Sequence, residues 1–477
     1  MLESLMRKFT FLGLCIEIMT DAISLSKLSK LQRHNVGNMK DMISELPEGV
    51  LLYILSFLPT KDAVRTTILA KTWRYLWTHL SVFDFEVFCH QHGSKPKQKS
   101  ENRLINQVDN LLQRSNRVER LCIKVRGTID AQKATSLLSN TLLHKVPDLK
   151  LSIEIEYIND MFVLPNSFSA SQSLNNLYLE FDFNLNIGDD ICFPSLKTLY
   201  LSHICFVNEK SAQRLLSGCP VLQELTLFRC SLLNVKQINV AMSALRKLTI
   251  EGLGLGYPFH NCTIKFDVGN LLSLSYTINP AINFFLVNPT SIVDASIHLR
   301  HLYQQNEQLH IQSVIELLSR LSSVKTLSLS NYILQCLNYA KDTLHLLPSF
   351  DNLMHLDVFL DYFRTTNEAL ASILCKTPKL EVLHINKGSS LFFDEGWTSN
   401  SLPCCLKSSL KLCFISNFHG NEDEIRSVQF LLENATVLEY INIFCSEYLS
   451  LNLEELADVR NQLQHLGLGR RCIIKLQ

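Results

Sequence analysis

Several things are missing from this chain of 477 residues. It has no net charge: 45 basic side chains balance 45 acidic ones. That argues against a nucleic-acid binder working by bulk attraction and against an acidic solvating tail. No CxxC pair occurs among its 15 cysteines, an odd number scattered from Cys15 to Cys472. Secreted disulfide frameworks are short and even-numbered, so the thiols read as reduced, small hydrophobes in an intracellular protein. No apolar run is long enough to span a bilayer. Arg7-Lys8 precede an apolar stretch with the outline of a signal peptide, but Glu17 interrupts it and no small-x-small cleavage site follows. Residues 1–40 therefore read as a poorly ordered extension.

Catalytic motifs are missing too. Gly252-x-Gly254-x-Gly256 lacks the GxGxxG spacing, His298-Leu-Arg-His301 is not HExxH, and neither a P-loop nor a GxSxG elbow occurs. Cys89, His90 and His92 lack a fourth metal ligand at suitable spacing. Cys404, Cys405 and Cys413 have no positioned histidine or basic partner, so packing is the expected role. No metal, no cofactor and no independent enzyme activity are expected.

What the chain does have is leucine, at 84 of 477 positions, well beyond ordinary usage. Apolar residues at a, a+3 and a+5 recur along it. Copies include Val118/Leu121/Ile123, Leu174/Leu177/Leu179, Leu196/Leu199/Leu201, Leu222/Leu225/Leu227, Leu245/Leu248/Ile250 and Leu271/Leu274/Tyr276. Others are Val324/Leu327/Leu329, Leu353/Leu356/Val358 and Leu380/Leu383/Ile385, with weaker copies at 149–153 and 292–297. Helical patterns lie between several of them, at 209–217, 312–321 and 367–375. A strand and a helix every ~20–30 residues is the leucine-rich-repeat pattern, in which neighbours bury each other's leucines in one continuous core. Strand alternation turns the a+2, a+4 and a+6 residues outward. On that face Tyr178, Tyr200, Phe228, Asp357, Phe359 and His384 are candidate contacts for a protein target.

Residues 41–85 differ in kind. Leu46-Pro47 should begin a helix, with Val50, Leu51, Ile54, Leu55 and Leu58 forming a wide apolar face. Pro59 should stop it, Thr60 can cap the next helix, and Trp73 and Trp77 follow four apart. About 45 residues with this much apolar surface cannot bury all of it internally. The excess packs either on the following domain or on another protein.

This segment closely resembles a plant F-box, carried by Ile43, Leu46, Pro47, Val50, Leu51, Ile54, Leu55, Phe57, Leu58, Pro59, Thr60, Val64, Trp73, Leu76 and Trp77. Glu48-Gly49, Ala70 and Thr72 depart from the usual pattern. Residues 403–445 resemble the FBD domain that follows plant F-box repeats, through Cys405-Leu406, Leu410-Lys411, Phe418, Gly420, Glu424, the run 431–435 and Val437-Leu438. An alternating strand over Leu410, Leu412 and Phe414 and a helix opened by Glu422–Glu424 are expected there, as capping repeats.

The resemblance to the plant F-box/FBD/LRR-repeat family implies an α/β protein with a small N-terminal helical F-box, a leucine-rich-repeat solenoid and a C-terminal FBD capping region. The corresponding boundaries are an extension at 1–40, F-box 41–85, linker 86–103, repeats 104–401, and FBD with the C-terminal end 402–477. It implies a non-catalytic substrate-recognition subunit of a Skp–cullin–F-box ubiquitin ligase, in cytoplasm or nucleus. The implied partners are a Skp-type adaptor, through it a cullin, and a protein target, with neither nucleic acid nor membrane. Carried over residue by residue, adaptor contact falls on Leu46, Pro47, Leu51, Ile54, Leu58, Pro59, Ile68 and Trp73. A small-molecule-dependent co-receptor and a non-ligase interaction scaffold are the alternatives.

Overall fold

The computed structural model describes residues 43–88, 96–155, 161–163, 172–187, 192–253, 262–279, 282–299, 307–339, 341–360, 368–387 and 402–477. The extension expected at 1–40 lies outside the described residues, as do Cys89, His90, His92, Gly254, Gly256 and His301. The chain divides into two compact units after Leu196.

The first unit opens with helices α1 (Glu48–Leu55) and α2 (Thr60–Arg65), followed by 3-10 turns at Thr66–Ile68, Lys71–Trp73 and Leu76–His79. Pro47 and Pro59 stand in extended backbone at the two N-caps, where a missing N–H costs no helical hydrogen bond. Leu51, Leu55, Ala63, Trp73, Leu76, Trp77 and Leu80 fill the interior. The Trp73 indole N–H donates to the Ser44 hydroxyl at 2.8 Å, satisfying its one polar group. Thr60, expected as a helix cap, does something else. Its buried hydroxyl accepts the backbone N–H of Asp84 at 2.6 Å, and α2 has no side-chain cap.

Asp84 belongs to β1 (Val82–Phe88), which pairs in parallel with β2 (Arg120–Ile129). Beyond β2 come β3 (Asp148–Ile155) and β5 (Asn176–Asn186), with short β4 (Met161–Val163) also on β5. Helices α3 (Pro96–Arg114) and α4 (Ala131–Leu143) make the crossovers, and Asp130 caps α4 by accepting the N–H groups of Gln132 and Lys133. The segment 86–103, expected as a linker, therefore holds the end of a strand and the first turns of a helix. The core-facing residues of α3 are Leu104, Val108, Leu111 and Leu112. Its polar opening turns carry no apolar period to betray them.

In the second unit every strand of the main ladder runs parallel. The order is β6 (Thr198–Phe206), β7 (Glu224–Phe228), β10 (Lys247–Glu251), β12 (Ser273–Ile278), β14 (Asp294–Leu299), β15 (Thr326–Leu329) and β16 (His355–Leu360). It continues through β17 (Val382–Lys387), β18 (Leu412–Phe418), β19 (Tyr440–Cys445) and β20 (Ile473–Leu476). The a+3 residues stay in register as one inward column: Leu199, Leu225, Leu248, Leu274, Ala295, Leu327, Leu356, Leu383, Cys413, Ile441 and Ile474. Each fully buried leucine in it contributes roughly 1.5–3 kcal/mol relative to exposure.

Helices α5 (Glu209–Ser217), α6 (Glu307–Arg320) and α8 (Glu368–Cys375) fall close to the expected patterns, and α7 (Asn331–Tyr339) is a helix beyond them. Three successive repeats differ. There β9 (Gln237–Ala241), β11 (Cys262–Asp267) and β13 (Ile282–Val287) form a second parallel sheet where helices would otherwise stand. QINVA and CTIKFD alternate at period two, INFFLV does not, and all three are rich in β-branched or aromatic residues, which favours strand. The short β8 (Ser231–Leu232) pairs with the end of β6.

The C-terminal region keeps the repeat rhythm with α9 (Cys404–Ser408), β18, α10 (Glu422–Asn434), β19, α11 (Glu447–Leu451), α12 (Leu453–Gly467) and β20. Within β18 the inward residues are Cys413 and Ile415, while Leu412 and Phe414 face outward. The strand expected over Leu410, Leu412 and Phe414 is present from Leu412, with Leu410 buried just before it. Asn421 caps α10 reciprocally with Glu424, whose buried carboxylate accepts the N–H groups of His419, Gly420 and Asn421.

Burial pushes the thiols of Cys230, Cys405 and Cys413 up to about 12 and those of Cys122 and Cys262 to about 11. A thiol held neutral in the folded state adds stability below its unfolded pKa and loses it as pH rises through the folded value. Denaturant midpoints should therefore fall from about pH 9 toward pH 12, and iodoacetamide at pH 8 should spare the buried Cys230, Cys262, Cys405 and Cys413 until the protein unfolds. Gly420 sits at φ +82°, and a Cβ there would run into Val459 of α12. Gly420→Ala should lower stability by about 2 kcal/mol or more, read from urea unfolding.

Candidate functional site

Two surfaces fit the expected roles. The first is on α1 and the turns after it. Leu46, Val50, Tyr53 and Phe57, spaced i, i+4, i+7 and i+11, are 37, 41, 56 and 44% exposed. Val50 and Tyr53 lie on α1, Leu46 just before its N-cap and Phe57 just past its C-cap, so large apolar groups line one side and face solvent while Leu51 and Leu55 are buried on the other. Tyr53 and Phe57 meet edge to face at 4.8 Å. Ile68 and Tyr75, on the 3-10 turns, are likewise exposed.

Of the residues expected to touch an adaptor, Leu46, Pro47, Pro59 and Ile68 are exposed, and Ile54 and Leu58 are half-buried. Leu51 and Trp73 are not on the surface at all; both are 1% exposed, in the middle of the module. They hold the stripe in place rather than present a contact. Val50, Tyr53, Phe57 and Tyr75 are the exposed apolar groups that the expected set omits. Reading α1 at 3.6 residues per turn as a helix with two apolar faces finds the first three.

The second surface is the outward face of the strands. In the first unit one row across it is Asp84, Cys122, Lys150 and Tyr178. In the second unit the central row is Tyr200, Thr226, Thr249, Ser275, Ser296, Ser328, Asp357, His384, Phe414, Asn442 and Lys475. The register therefore brings Asp357 and His384 side by side, with Phe359 next along β16. Phe228 stands apart on β7, its ring 5.9 Å from His203 and 5.2 Å from the Arg229 guanidinium.

His384 is the best-connected group of this face. Its Nε2 is 2.9 Å from the Ser416 hydroxyl, its Nδ1 is 3.4 Å from an Asp357 oxygen, and its ring meets Phe414 edge to face at 5.8 Å. His298, 6.3 Å from the Phe359 ring, shares a 2.9 Å hydrogen bond with Ser296. Burial lowers its pKa, partly offset by Glu251. Among the described residues no group of three or more His, Cys, Asp or Glu side chains could hold a metal, and no helix is long and apolar enough to cross a membrane.

A helical module with a solvent-facing apolar stripe, followed by a leucine-columned parallel ladder, defines the class: an F-box protein with leucine-rich repeats. Family models match in the same order, the F-box domain over residues 43–85, the LRR repeats of "FBD-associated F-box protein At5g56370" over 134–259, and FBD over 399–443. F-box/LRR-repeat protein At4g14103 of Arabidopsis thaliana is 30% identical over 364 residues, covering 73% of this chain and 92% of the relative. F-box/LRR-repeat protein At4g14096 is 28% identical over 93% of this chain and 96% of its own length, and putative F-box/FBD/LRR-repeat protein At3g59240 is 29% identical over 84 and 82%. The chain belongs to this plant F-box/FBD/LRR-repeat family, whose members are as a rule adaptor-type proteins rather than catalysts.

The burial pattern separates two kinds of variant. Trp73→Ala should cost roughly 3–5 kcal/mol and unfold the F-box module. Gly49→Ala should stabilise it by about 0.5–1 kcal/mol, since a Cβ on this exposed helical glycine meets nothing within 4 Å. Thermal unfolding followed by circular dichroism and by the fluorescence of the chain's three tryptophans, of which Trp73 and Trp77 lie in this module, checks both.

Proposed function

We infer that this protein is the substrate-recognition subunit of a Skp–cullin–F-box ubiquitin ligase. The observation that carries this reading is the apolar stripe along α1: Val50 and Tyr53 on the helix, with Leu46 just before it and Phe57 just after it, turned to solvent while Leu51 and Leu55 on its other face are buried. A module that spends large apolar side chains in this way is built to be covered by another protein, and in F-box proteins the covering protein is a Skp-type adaptor. The adaptor links the chain to a cullin, while the outward face of the strands holds a protein target. Chemistry belongs to other subunits. The contribution of this chain is to raise the local concentration of the target beside a ubiquitin-conjugating enzyme.

The direct test uses exposed positions, which leave the fold intact. Val50→Asp combined with Phe57→Asp, and separately Ile68→Asp, should weaken co-purification with a Skp-type adaptor by about ten-fold or more, with unchanged thermal unfolding. Full adaptor binding by the folded double variant would refute the reading. A Trp73→Ala variant does not serve, because unfolding alone would break the complex.

A further inference from the structure

The outward face of the second unit has a chemistry of its own. Among the described side chains on outward strand positions from β7 to β18, Glu224, Glu251, Asp294 and Asp357 are acidic and Lys247, opposite Glu224, is basic; Lys475 lies further on, in β20. Arg229, just beyond β7, is already laid over the Phe228 ring. With Glu224 facing Lys247, the described acids left over between β10 and β18 are Glu251, Asp294 and Asp357, although the whole chain is neutral.

Its middle is also low. Thr249, Ser275, Ser296 and Ser328 follow one another on neighbouring strands of the central row, all short and half-buried. At ~4.8 Å per strand they floor a track of roughly 15 Å, lower than its surroundings. Asp357 stands at one end of that track. Its carboxylate is 37% exposed and its hydrogen-bonding capacity is largely unspent, because His384 approaches only to 3.4 Å. His384 is itself fixed by Ser416 and Phe414, so the carboxylate is steered rather than quenched. Two residues along β16 the Phe359 ring is 41% exposed.

A steered carboxylate beside an exposed ring, at the end of a shallow track with further acids along it, matches one side chain best. A guanidinium or ammonium pairs with the carboxylate and lies against the aromatic face. We propose that the outward face of β10–β18 recognises an extended, basic segment of the target, with an arginine or lysine seated on Asp357 against Phe359. Glu251, four residues further along β10 than the level of Asp294, serves a second basic residue. Four strand spacings separate β10 from β16, ~19 Å, so at ~3.3 Å per extended residue the two basic positions fall up to about six residues apart. This inference rests on the reading that the outward face holds the target, and adds what kind of target sequence it takes.

The test uses the full chain co-purified with a Skp-type adaptor. The probes are fluorescein-labelled degenerate dodecapeptide pools whose central position is fixed as Arg, Lys, Glu or Leu, followed by anisotropy. The Arg and Lys pools should bind about ten-fold more tightly than the Glu pool, with the advantage shrinking at high salt. Asp357→Asn and Phe359→Ala should each weaken the Arg pool about five-fold or more, whereas Glu433→Gln on α10 should change nothing. Arg-pool binding untouched by Asp357→Asn overturns the inference, as does failure of every pool to bind. A preference for the Leu or Glu pool that Phe359→Ala abolishes also overturns it, while leaving the face as a target site. Loss of the adaptor from the wild-type chain is a separate result, and counts against the ligase reading alone.

Discussion

One constraint runs through the second unit: the a+3 residues of successive strands have to stay opposite one another. A slip of one residue in a parallel ladder would exchange the two faces, sending leucines to water and Ser, Thr and Asp side chains into the core. The column from Leu199 to Ile441 forbids that. Because the inward column is fixed, the outward row is fixed with it, so residues about thirty positions apart in sequence become neighbours at known spacing. Asp357, His384 and Ser416 come together for this reason, with no local motif to announce them.

The same logic explains how the F-box and the repeats of the first unit are joined. Thr60 takes the N–H of Asp84, and β1 continues into the parallel ladder through β2. Backbone N–H groups of Glu119 and Arg120 add bonds to the carbonyl of Ser81, and that of Asn116 to Thr78. The helical module is thus stitched to the first repeat by backbone pairing, which removes freedom that a flexible linker would have kept.

Much of this was legible in the sequence because it depends on periodicity. The inward leucines, the outward partners at a+2, a+4 and a+6, and helices such as Glu209–Ser217 follow from counting. What was not legible depends on competition between faces. The helix α1 is apolar on both sides, and its sequence alone does not say which side the module buries. Leu51 and Trp73 therefore read as contacts when they are core, while Tyr53 went unnoticed. In β18 the alternation of Leu412 and Phe414 does not say which face is buried, and Cys413 and Ile415 occupy the inside. Cysteine behaves there as a small hydrophobe, with burial holding the Cys413 thiol neutral. The strands β9, β11 and β13 were hidden by the assumption that every repeat returns through a helix.

The central claim is that an apolar helical face, exposed in the chain alone, is covered by a Skp-type adaptor. Amide hydrogen exchange measured on the chain with and without the adaptor tests it without changing a residue. Added protection concentrated in residues 46–75, with the strands of the second unit unaffected, is the predicted result. An adaptor complex that leaves 46–75 exchanging as fast as in the free chain would contradict the account.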